Sequence, residues 1–325
     1  MGKVFIEVCV DSLDSARCAI ENGADRLEIC GNLSIGGGVS PSIGLISVII
    51  DRFPLIPIMV MIRPRIGSFV YIEDEIQTML TEIKELRDLI ARRRQVKNED
   101  QRDTTEIEGV VGIVIGALKS DGRVDVITMK RLIEVANDEM PITFHRAFDM
   151  VIDQSQAYEN ILSLGGRVTR ILTSAGSKSY NEPDSIKNLK NLTTIQINSM
   201  KKTINQKHPM IMPGSGISPQ ILPELLDILI PVWNQKQVQE KSLKKEHDKL
   251  DTSLGDVHLS GGSWYVPVSK EDGFVQSMAR KDGMGFGLVD RSGENEEAKS
   301  WGRWKVIGDK VSSVRKTLDQ YLEGL

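Results

Sequence analysis

Short apolar runs rich in Val, Ile and Met recur along the chain, and most are followed by a stretch whose apolar positions repeat with helical spacing. Residues 3–8, 26–30, 57–62, 110–115, 142–144, 168–172, 210–212 and 256–259 read as buried β-strands. Helical periodicity is expected over 13–22, 42–52, 73–94, 154–164, 183–207, 219–229 and 305–321. Asp11 or Ser12 can cap the first of these helices and Gly23 ends it, while the glycines Gly36, Gly37 and Gly38 lead into the second. Eight strands alternating with helices predict an α/β fold, a (β/α)8 TIM barrel forming one domain over residues 1–325. An open doubly wound sheet is the alternative, but the strand count and regular spacing favour closure.

Two polar segments interrupt the pattern. Residues 93–108 and 233–255 are rich in Lys, Glu and Gln with little apolar periodicity, and are expected to be surface insertions. Residues 290–300 are a third candidate. Hydrophobic content of 40% and charged content of 26% are those of a water-soluble globular protein. A net charge of −4 gives no reason to expect nucleic-acid binding, and no apolar run approaches the ~20 residues of a membrane span. Three cysteines in 325 residues are no disulfide framework, so a reducing, cytoplasmic setting is expected.

In such a barrel, functional groups collect where the strands end. Those ends carry Glu7 and Cys9, Glu28 and Cys30, Arg63, His145 with Arg146, Thr173 with Ser174, and His258. The segment PITFHRAFDM is the densest, with His145, Arg146 and Asp149 directly after a short strand. Taken singly, Glu7 or Glu28 is equally explained by a salt bridge tying neighbouring strands together; taken together, the groups point to a polar pocket. If it is catalytic, Arg63 and Arg146 would clamp an anion and His145 would move a proton, with Glu7 or Glu28 as partner. The carboxylates are expected to pair with Arg63 or Arg146. Gly214, Ser215 and Gly216, and Ser260, Gly261 and Gly262, form glycine–serine loops after the last two strands, where barrels often bind phosphate. Glu7 and Cys9, like Glu28 and Cys30, share a strand face. If the strands pair in register, the cysteines lie ~5 Å apart, a separation suited to a soft ion such as Cu(I) held by two thiolates. Small buried apolar residues are the other reading of the same spacing.

The segments EVCVDSLDSARCAIENGADRLEIC, MIRPRIGSF, ITFHRAFDM, RILTSAGS, IMPGSGIS and VHLSGG, in this order, closely resemble the CutC family of copper homeostasis proteins. The likeness runs from Phe5 to about Gly262 and fades over residues 264–325. It implies a cytoplasmic (β/α)8 barrel that binds and traffics copper and self-associates into a homo-oligomer. It also implies Cu(I) ligation by cysteines at the positions of Cys9 and Cys30. Many members carry RPRGGDF where this chain has Ile66 for a glycine and Ser68 for an aspartate, so no role of that aspartate transfers here. No reaction comes with the resemblance, and an enzyme acting on a small phosphorylated or carboxylated metabolite is the competing reading.

Overall fold

The computed structural model describes residues 3–34, 37–99, 109–136, 138, 140–241, 253–265 and 303–325. Eight parallel strands form the barrel: β1 (Val4–Val10), β2 (Arg26–Ile29), β3 (Ile58–Met61), β4 (Val111–Ile115), β5 (Ile142–Phe144), β6 (Val168–Thr173), β7 (Met210–Pro213) and β8 (Gly255–Leu259). They are hydrogen bonded in the order β7-β6-β5-β4-β3-β2-β1-β8. A parallel bridge from Gly214 to His258 joins the two ends and closes the ring. The (β/α)8 barrel expected from the hydrophobic pattern is therefore the observed fold.

Among the described residues eight helices surround it: α1 (Leu13–Glu21), α2 (Ile43–Arg52), α3 (Glu73–Glu99), α4 (Val126–Val135), α5 (Gln154–Leu162), α6 (Ser185–Lys202), α7 (Leu222–Lys241) and α8 (Gly308–Glu323). Their starts follow from side-chain caps, with Ser12 accepting from the Ser15 amide and Ser42 from the Leu45 amide. Outward residues of the strands, such as Val4, Ile6, Val8 and Val10 of β1, pack with the helices in one continuous core.

Three segments differ from the pattern-based expectation. Helix α4 is absent from it, because its opening Val-Ile-Thr looks strand-like; the usable signal was Asp125, whose side chain caps the Thr128 amide. Second, α3 runs on to Glu99, and α7 passes through Pro231 to Lys241, so 93–99 and 233–241 continue helices rather than interrupt the pattern. Proline removes only one N–H, and Trp233 is fully buried just beyond it, its indole donating to the Ile211 carbonyl at 3.1 Å. Arg93 is likewise tied down, on Ser47 and Asp51. The end of the second segment is not an excursion either, since Ser253 and Leu254 are buried and Gly255 opens β8, while residues 100–108, 242–252, 290–300 and Gly36 lie outside the described residues. Third, a two-stranded antiparallel sheet of β9 (Gly262–Tyr265) and β10 (Arg303–Val306) follows β8. It delivers α8 against α1, where the Val306 amide donates to Ser15 Oγ and Arg315 reaches Asp25. Among the described residues no helix is long and apolar enough to cross a membrane.

Candidate functional site

Side chains two apart on a strand share a face, and the inward positions of β1, β2, β3 and β8 build the site. Its floor is a buried charge network. Arg26 donates to both Glu7 and Asp256, the latter at 2.7 Å, and Arg170 of β6 donates to the same Asp256 oxygen. Arg26 stands level with Glu7, and His258 is level with it on the other side, so Glu7 ties β1 to both neighbours. Its other oxygen contacts His258 Nδ1 at 2.8 Å. Burial opposes ionisation of Glu7, yet the Arg26 guanidinium and the His258 imidazole hold its carboxyl far below the usual range. The partner anticipated as Arg63 or Arg146 is thus Arg26, and the sequence reading missed Arg26, Arg170 and Asp256 altogether. Their signal was present: charged residues at inward positions of strands that are otherwise Val, Ile and Met.

One step toward the C-terminal ends lies Glu28. It is buried, and burial raises its carboxyl above the ordinary value. Its Oε1 accepts from Cys30 Sγ at 3.1 Å, while Oε2 is buried without a hydrogen-bond partner, 3.8 Å from His258 Nδ1. Burial works against a charge on His258 as well, but the Glu28 carboxylate, Cys9 and Glu7 around it raise it well above an ordinary imidazole. The groups around it thus favour the protonated form of His258.

The cysteines are not cross-strand partners. Cys9 pairs with Glu28, which leaves Cys30 two positions further along β2. The condition under which the cysteines would lie ~5 Å apart, pairing in register, is therefore not met; the cause is the stagger that barrel closure imposes on neighbouring strands. The two nevertheless belong to one buried cluster, together with Met59, Met61 and Val114. Met59 is level with Glu28, and the same register continued sets Met61 beside Cys30. Burial pushes both thiols up, that of Cys30 well above its ordinary value with the help of Glu28 and Cys9.

His145 and Arg63 form a second group, across the mouth on β5 and after β3. His145 is buried and neutral, lowered to about 3 by burial and by Arg63. Nδ1 accepts from the Ala147 amide at 3.2 Å, and Nε2 is buried without a hydrogen-bond partner. Phe69 lies 4.7 Å from the imidazole ring and 4.7 Å from the Arg63 guanidinium. Gly116 makes room for this histidine: a Cβ there would come within 2.6 Å of the ring. Arg63 donates to the carbonyls of Gly38 and Gly67. Arg146 is turned away, onto Asp149, Ser174 and the carbonyls of Ser177 and Lys178, and Thr173 also bonds Asp149. It braces the loop after β6.

The two glycine–serine loops differ. Gly214 belongs to the barrel closure, and Ser215, in the left-handed region at φ 75°, accepts from the Tyr180 amide and donates to the Lys178 carbonyl. Gly261 accepts from the Ile307 amide, Gly262 from Lys310 Nζ, and the indole of Trp304 fills the space where a Gly262 side chain would stand. Gly261 and Gly262 therefore form the joint on which the C-terminal segment docks, with the exposed Ser260 directly before it.

Fold and site together define a closed parallel (β/α)8 barrel whose interior carries a paired-charge floor beneath a sulfur-lined, acidic layer. Comparison with known proteins gives that class a family. The family model described as "CutC family" matches residues 4–229, and the chain belongs to it. It is 34% identical over 261 residues to a family protein CutC of Aliivibrio fischeri, covering 80% of this chain and 83% of that one. It is 37% identical over 225 residues to the human protein named copper homeostasis protein cutC homolog, covering 69% of each. The solved CutC structure from Streptococcus agalactiae shares the fold, with a TM-score of 0.56 at 24% identity over 79% of this chain and 98% of that one.

Proposed function

We propose that this protein serves copper homeostasis by holding Cu(I) on Cys9 and Cys30. The observation that carries the reading is the buried cluster of Cys9, Cys30, Met59 and Met61. Thiolates and thioethers are the soft donors that Cu(I) prefers, and four of them in a dry cluster exclude harder competitors. The raised thiols are no obstacle, because the metal itself displaces their protons. A Cu(I) bound by two thiolates carries a net negative charge, and His258 stands beside Cys9, where its favoured protonated form would offset that charge. The names of the relatives point the same way. All three cysteines are unbridged, as a cytoplasmic protein requires; self-association into a homo-oligomer rests on the family resemblance.

Anaerobic Cu(I) titration against a competing chelator tests the reading. Tight one-to-one binding should be lost in the Cys9→Ser/Cys30→Ser double variant and weakened in Met61→Leu. Binding unchanged by the double substitution would overturn it.

A second reading has its own observation: the neutral His145, with Nε2 unpartnered beside Arg63 and Phe69. That arrangement suits proton transfer on a small anionic metabolite. Loss of ligand-induced thermal protection in His145→Gln, with copper binding intact, would favour it.

A further inference from the structure

We propose that Glu7, Glu28 and His258 form a second metal site, for a borderline divalent ion of the zinc or cobalt(II) kind, separate from the copper site on the cysteines. The three residues are buried, and one ligand atom from each lies within 4.8 Å of the others. Glu28 Oε2 supplies the independent observation: a carboxylate oxygen with no hydrogen-bond partner, on a side chain only 3% exposed, aimed at His258. A buried carboxylate oxygen left unbonded is costly unless something occupies the space before it.

The spacing fits an ion. Donors ~2.0–2.1 Å from a tetrahedral metal stand roughly 3.3 Å from one another. Here Nδ1 of His258 is 2.8 Å from Glu7 Oε1 and 3.8 Å from Glu28 Oε2, distances that bracket that value. The chemistry fits as well. Two carboxylates neutralise a divalent ion, and the imidazole nitrogen of His258, which gives up its proton to solvent as the ion binds, shifts preference away from magnesium and calcium, which favour all-oxygen shells. The surroundings also resemble a built site. Arg26 holds the other oxygen of Glu7, and Cys30 holds the other oxygen of Glu28, so each ligand is oriented by a hydrogen bond on its far atom. The same Cys30 belongs to the sulfur cluster, so the two sites are neighbours with different ligand atoms, and the S–H that orients Glu28 is present only while Cu(I) is absent from Cys30: hard and borderline groups lie toward the floor, soft groups toward the mouth.

The test uses full-length protein stripped with a chelator and titrated with Co2+, followed by visible ligand-field absorption and displaced with Zn2+. Wild type should bind one Co2+ with ligand-field bands and no thiolate-to-cobalt charge-transfer band. Glu28→Gln, which keeps the side-chain shape, should weaken binding at least tenfold, and His258→Gln should do the same. The Cys9→Ser/Cys30→Ser variant should retain Co2+ within a factor of a few. Failure to saturate at millimolar Co2+, wild-type affinity in both single variants, or a charge-transfer band that vanishes in the serine variant would each overturn the proposal. Cu(I) titration of the same samples keeps the readings apart: cobalt bound with copper unbound sinks only the copper reading, and the reverse sinks only this one.

Discussion

The floor of the barrel and the layer directly above it are built from the same strands, yet treat polarity in opposite ways. On the floor, Glu7, Arg26, Asp256 and Arg170 are interlocked, each carboxylate on at least one guanidinium. One step higher, Glu28 has an oxygen without a hydrogen-bond partner, and the groups around it are thiols and thioethers. Charges that satisfy one another hold a structure together. Asp256 Oδ1 on the floor is also buried without a hydrogen-bond partner, so an unbonded oxygen alone does not distinguish the layers. The difference teaches that charge at a strand end is no mark of function by itself; the floor carboxylates are neutralised by guanidinium groups, while Glu28 has only the 3.8 Å contact to His258.

The comparison breaks most sharply at Asp256, which is fully buried between two arginines. Asp256→Asn should destabilise the fold by ~3–5 kcal/mol, the usual cost of stranding a buried charge. Urea denaturation reads this, and a loss below about 1 kcal/mol would show that the floor is not the scaffold.

Next in size is the effect of acid through His145. This histidine is neutral when folded, with its value lowered from 6.5 to about 3, so below about pH 6.5 only the unfolded chain takes up its proton. Stability should then fall with falling pH by ~1.4 kcal/mol per unit until the folded value is reached. His145→Gln should remove that share of the slope between about pH 6 and pH 4, as measured by denaturation at each pH. An identical slope in both proteins would mean that the imidazole is not held neutral.

Gly116→Ala sharpens the geometry of the same region. Its added methyl would meet the His145 ring at 2.6 Å, so a loss of ~1–3 kcal/mol is expected. The His145 ring resonances should shift with it, and unshifted resonances would contradict the packing. The smallest stability change belongs to the sulfur layer. Met61→Leu conserves volume and should cost less than ~1.5 kcal/mol, while Cu(I) affinity falls severalfold in chelator competition.

Much of this molecule was legible beforehand. Eight strands and their order followed from apolar runs with helical intervals, because buried parallel strands have little choice of composition. Glu7, Glu28, Cys9, Cys30, His145 and His258 were readable as inward or strand-end groups from the two-residue alternation alone. What could not be read was pairing. Whether Cys9 faces Cys30 or Glu28 depends on barrel stagger, a property of closure that no single strand encodes. Arg26 was hidden because it sits at the start of its strand, away from the mouth where functional groups were sought. The helix expected over 219–229 stops short of the true end of α7 at Lys241, because the Gln- and Lys-rich residues beyond it carry little apolar periodicity and the burial of Trp233 cannot be read from them. At Gly261 and Gly262 the sequence cannot separate a packing joint from an anion cradle, because close packing and anion binding call for the same residue.

The account rests on the upper layer being a soft-metal site. X-ray absorption at the copper edge of the Cu(I)-loaded protein examines that claim most directly. The expected spectrum shows sulfur scatterers alone, losing its short copper–sulfur shell in the Cys9→Ser/Cys30→Ser variant. A first shell of nitrogen and oxygen, unchanged by that substitution, would place copper on His258 and the carboxylates and contradict the division between the two layers.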